Sequence, residues 1–121
     1  MKLFVVLGSL NMFLSVALGA FGAHGLAGKI PERMLENWQT ATHYHMAHAL
    51  ALLFIGIVAD RLGPSSLVST AGWVIFVGIA LFSGSLYAMA LTGITKLGAI
   101  TPLGGVAFLI GWVLVAIAAL K

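Results

Sequence analysis

A chain of 121 residues that is 61% hydrophobic and 7% charged cannot close into a soluble globule. Soluble domains carry roughly 25% charged residues, and small ones keep a large share of their surface in water. The formal charge of +3 rests on six Lys and Arg spread one or two at a time over the helix ends. No basic run interleaves with aromatic residues, which excludes a nucleic-acid surface; these cations suit lipid headgroups instead. The absence of cysteine excludes disulfides and thiolate metal sites.

A spanning helix needs about 20 apolar residues. Four spans therefore nearly exhaust the chain, and residues 1–121 read as a single transmembrane domain. Span one covers about 3–22. It resembles a signal peptide in its order of Lys2, apolar run and small residues, but its length matches the bilayer rather than a signal core, so it reads as a retained helix. The connection from Ala23 to Gln39 holds Gly25, Gly28 and Pro31. Pro31 suits the first turn of a helix, Glu32 and Glu36 suit its positive end, and Trp38 is placed as an interfacial anchor. Residues 31–42 thus read as a short surface helix leading into span two, at about 41–59. Gly63-Pro64-Ser65-Ser66 is a tight turn by composition. Span three covers about 67–91 and span four about 103–120.

Short loops make sequential helices antiparallel. The predicted fold is an all-α integral membrane four-helix bundle, up-down-up-down, with an interfacial helix between spans one and two. Lys2, Arg61 and Lys121 fall at one end, and Lys29, Arg33 and Lys96 at the other. This balance gives the positive-inside rule no preference.

Helices in lipid associate through close packing and hydrogen bonds, because lipid tails are as apolar as leucine. Small residues therefore mark seams. Gly8, Asn11, Ser15, Gly19 and Gly22 recur on one face of span one. Gly104, Ala107, Gly111, Val115 and Ala118 repeat the pattern in span four, and Ala80, Gly84 and Ala88 in span three. A glycine-lined solute path is the other reading of these stripes; a tight seam is the plainer one.

His43, His45 and His48 cluster in span two, and His24 lies just past span one. Imidazole binds zinc, copper and haem iron. His-x-His-x-x-His on one helix without a carboxylate is nonetheless no metal signature, and interfacial His facing headgroups, with His48 bonded across helices, is the plainer reading. Asn11 in mid-span needs a partner. Ser83, Ser85 and Tyr87 invite the same comparison, although serine can bond back to its own helix. No carboxylate lies within a span, which counts against a proton-driven exporter. No nucleophile–base pair or phosphate loop is present, so no enzyme is expected.

Four ordered motifs carry a family likeness: Leu18-Gly19-Ala20-Phe21-Gly22-Ala23-His24; Tyr44 with His48-Ala49-Leu50-Ala51; Phe82-Ser83-Gly84-Ser85-Leu86-Tyr87; and Thr101-Pro102-Leu103-Gly104-Gly105 with Gly111-Trp112. Over nearly its whole length the chain resembles the YgdD/YwdK-like family of small bacterial inner-membrane proteins of unknown function. The resemblance implies four spans and a bacterial plasma membrane, and supplies no activity. Its pattern includes His24, Tyr44 and His48 but not His43 or His45, which narrows the candidate ligand-binding set to His24, Tyr44, His48, Ser83, Ser85, Tyr87 and Thr101.

Alternating helix directions put these residues toward one side of the membrane, where one polar pocket is expected. The leading functional expectation is a self-associating, non-enzymatic bundle, a homo-oligomer whose polar end binds membrane lipid, a small ligand or a membrane protein partner. A small-solute transporter or channel is the first alternative. A haem, quinone or metal protein using His24 and His48 is the second. No metal or cofactor is assigned.

Overall fold

A computed structural model of the chain describes residues 2–62 and 66–121. The turn expected at 63–66 lies largely outside them. Four helices carry the fold: α1 (Lys2–Phe21), α2 (Glu32–Val58), α3 (Ser66–Thr92) and α4 (Thr101–Leu120). All four are long and apolar enough to cross a membrane. The all-α, four-span expectation holds.

Helix α1 widens at its end into a π-helical turn, Gly22–Leu26, closed by the Ala27 amide donating to the Gly22 carbonyl at 3.1 Å. A 3-10 turn, Thr95–Ala99, precedes α4. Helix α3 stops at Gly93, whose φ of +74° only glycine adopts freely and whose amide donates to the Met89 carbonyl at 2.8 Å.

The interfacial helix is not a separate element. Pro31 caps α2, and no glycine or proline interrupts the chain from Glu32 to Ile55. The segment read as a surface helix is therefore the first turns of one 27-residue helix. At 1.5 Å per residue it runs to about 40 Å, longer than the roughly 30 Å hydrocarbon core, so it overshoots the bilayer.

Helix α1 packs on α2, α2 on α3, and α3 on α4. The central pair buries 44% of its spans against 22% for α1 and α4, so the outer helices give most of their surface to lipid. The seams are set by small residues. A Cβ on Gly8 would lie 2.8 Å from the Leu53 amide nitrogen. One on Gly111 would lie 2.5 Å from Ile75 Cγ1, and one on Gly104 would collide with the Phe82 backbone. At these three points the interhelical distance is fixed by the missing side chain, and dispersion contacts follow from it.

The interior is segregated along the membrane normal. Toward the Lys2 end it is apolar, with Phe4, Leu52, Ile55, Ala71 and Ile75 buried. Toward the π-turn end it holds the buried polar side chains Asn11, Ser15, His45, His48, Ser83 and Ser85. Trp38 belongs to this half. It is 2% exposed, fills the space beside Gly22 and donates from Nε1 to the Leu18 carbonyl at 2.8 Å. The anchor expected at the lipid interface is instead a packed side chain, because the overshoot of α2 carries it over the widened end of α1.

Candidate functional site

Two polar assemblies lie in the π-turn half. The first is a chain through three helices. Asn11 Nδ2 donates to the Leu7 carbonyl at 2.8 Å, which fixes the amide orientation. Asn11 Oδ1 can then only accept, so His45 Nε2–H donates to it at 2.9 Å. His45 Nδ1 is left as an acceptor, and the Tyr87 hydroxyl donates to it at 2.9 Å. The direction of every bond follows from the one before. Two shorter links reinforce it: Ser83 Oγ donates to the Ala41 carbonyl at 2.8 Å across α2 and α3, and Ser85 Oγ donates to the Phe82 carbonyl at 2.9 Å. Ser85 has spent its proton there, so Thr101 donates to Ser85 Oγ at 2.6 Å. Among the described residues no buried side-chain N or O atom lacks a partner.

The second assembly is a lateral groove of about 500 Å³ between α2 and α4, with Tyr44, His48, Phe82, Gly105, Phe108 and Trp112 in its wall. His48 lies face to face with Phe108, ring centroids 3.5 Å apart at 6°. Its Nδ1 bonds the Tyr44 carbonyl at 2.9 Å, and a carbonyl only accepts, so Nδ1 carries the proton. Its Nε2 accepts from the Trp112 indole N–H at 3.1 Å. The two internal histidines are therefore held as opposite tautomers. Tyr44 is 42% exposed, and its hydroxyl makes no hydrogen bond to a described residue.

The structure thus divides the sequence-derived set. Tyr44 and His48 meet at the groove. Ser83 and Tyr87 on α3 bond α2, Thr101 on α4 bonds Ser85 on α3, and each of the four has committed its hydroxyl proton. His24 rides exposed on the π-helical turn, with no hydrogen bond or ring contact to a described residue, and does not join His48. No group of three or more His, Cys, Asp or Glu among the described residues is placed to hold a metal ion. Of the seam residues, Gly8, Asn11, Ser15, Gly22, Gly104 and Gly111 are buried between helices. Gly19 and Gly84 are not: nothing lies within 4 Å of where their Cβ would be. Ala80 and Gly84 face outward because Ile75, Ile79, Ser83 and Leu86 supply the packed face of α3.

His45 is the residue the sequence reading passed over. Its signal is periodicity: Trp38, Ala41, His45, His48, Leu52 and Ile55 alternate steps of three and four, and all are buried. Phe108 and Trp112 fall on the stripe that begins at Gly104, one and two turns along.

Fold and site define a multi-pass membrane protein of four helices with a buried polar half. Residues 18–105 match the family described as Protein of unknown function (DUF423). The chain belongs to this family. It is 56% identical to the UPF0382 membrane protein YwdK of Bacillus subtilis (strain 168), over 100% of this chain and 98% of that one. It is 55% identical, at the same coverage, to a UPF0382 membrane protein of Staphylococcus aureus (strain bovine RF122 / ET3-1). No solved structure matches.

Proposed function

We propose that this protein is a non-enzymatic component of the bacterial inner (plasma) membrane that holds an amphiphilic molecule in the groove between α2 and α4. The observation that carries the reading is the contrast between the two assemblies. The Asn11–His45–Tyr87 chain is closed on itself, whereas the groove opens sideways to lipid and has in its mostly apolar wall Tyr44, whose hydroxyl makes no hydrogen bond to a described residue. Concave, mostly apolar sites with a few polar groups are where membrane-soluble ligands bind. The same closure works against a solute path beside Asn11 and His48, since both amide atoms and all four ring nitrogens of His45 and His48 are engaged.

Gly105 provides the test. A Cβ there meets nothing closer than Phe82 Cδ2 at 3.9 Å, so the backbone has room for a side chain at this position, and Gly105→Leu is expected to fill the groove and leave the helix contacts in place. In native mass spectrometry after gentle extraction, the wild-type protein is expected to carry a defined amphiphile mass that Gly105→Leu loses. Identical mass distributions for the two proteins would refute the reading.

Self-association is part of the proposal. Gly8 and Ser15 are consumed inside one chain, which leaves Gly19 and Gly84 for a second copy. Cysteine placed at Gly19 or Gly84 is expected to give a disulfide-linked dimer in native membranes, and cysteine at Ser15 none. Equal cross-linking at all three positions, or at none, would count against association through these faces.

A further inference from the structure

The groove's hydrogen-bonding polarity is set by the backbone. His48 Nδ1–H is tied to the carbonyl of Tyr44, one turn earlier in the same helix, so this bond travels with α2 whatever enters the groove. His48 Nε2 is then an obligate acceptor. Its present partner, the Trp112 indole, comes from α4, lies at the groove wall and is 42% exposed. A ligand that displaces it must bring a donor of its own. Otherwise His48 is left with an unpaired nitrogen at the cost of that bond.

Two further features narrow the ligand. No Lys, Arg, Asp or Glu lines the groove, so a phosphate headgroup finds no cation and an ammonium group no carboxylate. The wall is aromatic: Tyr44, Phe82 and Phe108 form a contiguous run with ring centroids 4.7 Å and 5.5 Å apart, tilted at 52° and 51°, a surface against which a further ring packs favourably.

Resting on the groove reading above, we infer that the occupant is a neutral amphiphile with a hydroxyl on an aromatic head, a phenol-type lipid, and that Trp112 is a latch. Its indole satisfies His48 in the empty groove and yields that nitrogen to the ligand hydroxyl. The apolar tail leaves sideways along Val106 and Leu109 into the bilayer.

The experiment uses the full chain in lipid nanodiscs, titrated with para-dodecylphenol and, separately, with its methyl ether, which has the same shape and no donor. In the wild type the phenol trades one hydrogen bond for another. It is expected to move the Trp112 indole proton resonance upfield as that proton loses its acceptor, while the ether leaves it in place. In Trp112→Phe the latch is gone, and the ratio of phenol to ether affinity is expected to rise on the order of fivefold. Trp112 is partly exposed, so this variant keeps the fold, and Gly105→Leu serves as the blocked control. Equal binding of both probes, with the indole resonance unmoved and the ratio unchanged in Trp112→Phe, overturns the donor inference and leaves the groove reading standing. Binding of neither probe, or binding that survives Gly105→Leu, overturns both.

Discussion

Gly104→Leu is expected to destabilise the bundle by ~3 kcal/mol or more, enough to remove most folded protein from the membrane. The reason is backbone contact. At Gly104 a Cβ would overlap the main chain of Phe82, and main chain within a packed helix has no rotamer by which to yield. Helix α4 would have to move off α3, taking Phe108 and Trp112 from His48 and Thr101 from Ser85. The neighbouring Gly105→Leu, which points into the groove, is expected to stay within about 0.5 kcal/mol of wild type. Reversible unfolding in mixed micelles measures both. Comparable stability of the two variants would mean that α3 and α4 do not meet at Gly104.

The second large effect concerns the buried chain. His45→Phe keeps a planar ring at the position and removes both ring nitrogens, leaving Asn11 Oδ1 and the Tyr87 hydroxyl without partners in the interior. An unsatisfied buried group costs about 1–3 kcal/mol, so a loss of roughly 2–6 kcal/mol is expected for the pair. Adding Asn11→Leu and Tyr87→Phe removes the orphaned groups themselves. The triple variant is therefore expected to be more stable than His45→Phe alone, by about 1 kcal/mol or more, since groups in one network do not act additively. Losses that simply add across the three substitutions would show that the bonds do not form a network.

Both effects bear on the relation between the two assemblies. The Asn11–His45–Tyr87 chain joins α1, α2 and α3, while the groove is built where α4 meets α2. The chain holds α2 in a fixed rotation. That rotation directs His45 inward and brings Tyr44 and His48 to the α4 side. Stability and site thus share one helix, and the same turn of α2 supplies a residue to each.

The solvent, the number of spans and their approximate bounds are legible in the chain without its fold. Those properties follow from hydrophobic length against bilayer thickness, which any 20-residue stretch reports without its neighbours. The sequence also marked most of the seams, since a glycine at helical spacing announces close approach wherever the partner stands. The heptad rhythm through Trp38, Ala41 and His45 was legible too, and would have placed His45 in the interior.

What the tertiary structure alone decided is which stripe meets which helix. Gly84 has the spacing of a seam residue, but Ser83 beside it takes the packed position, because a helix can press only one face on a given neighbour; Gly19 shares the face of Ser15, yet it lies at a cleft toward Gln39, Thr42 and His43 of α2 and nothing fills the space of its Cβ. Likewise four histidines on paper become three kinds. His45 is locked between Asn11 and Tyr87, His48 is oriented by its own backbone and capped by Trp112, and His24 and His43 are left exposed. Residue type cannot separate them. The partner each ring nitrogen meets can, and those partners lie as far as 64 positions away in the chain.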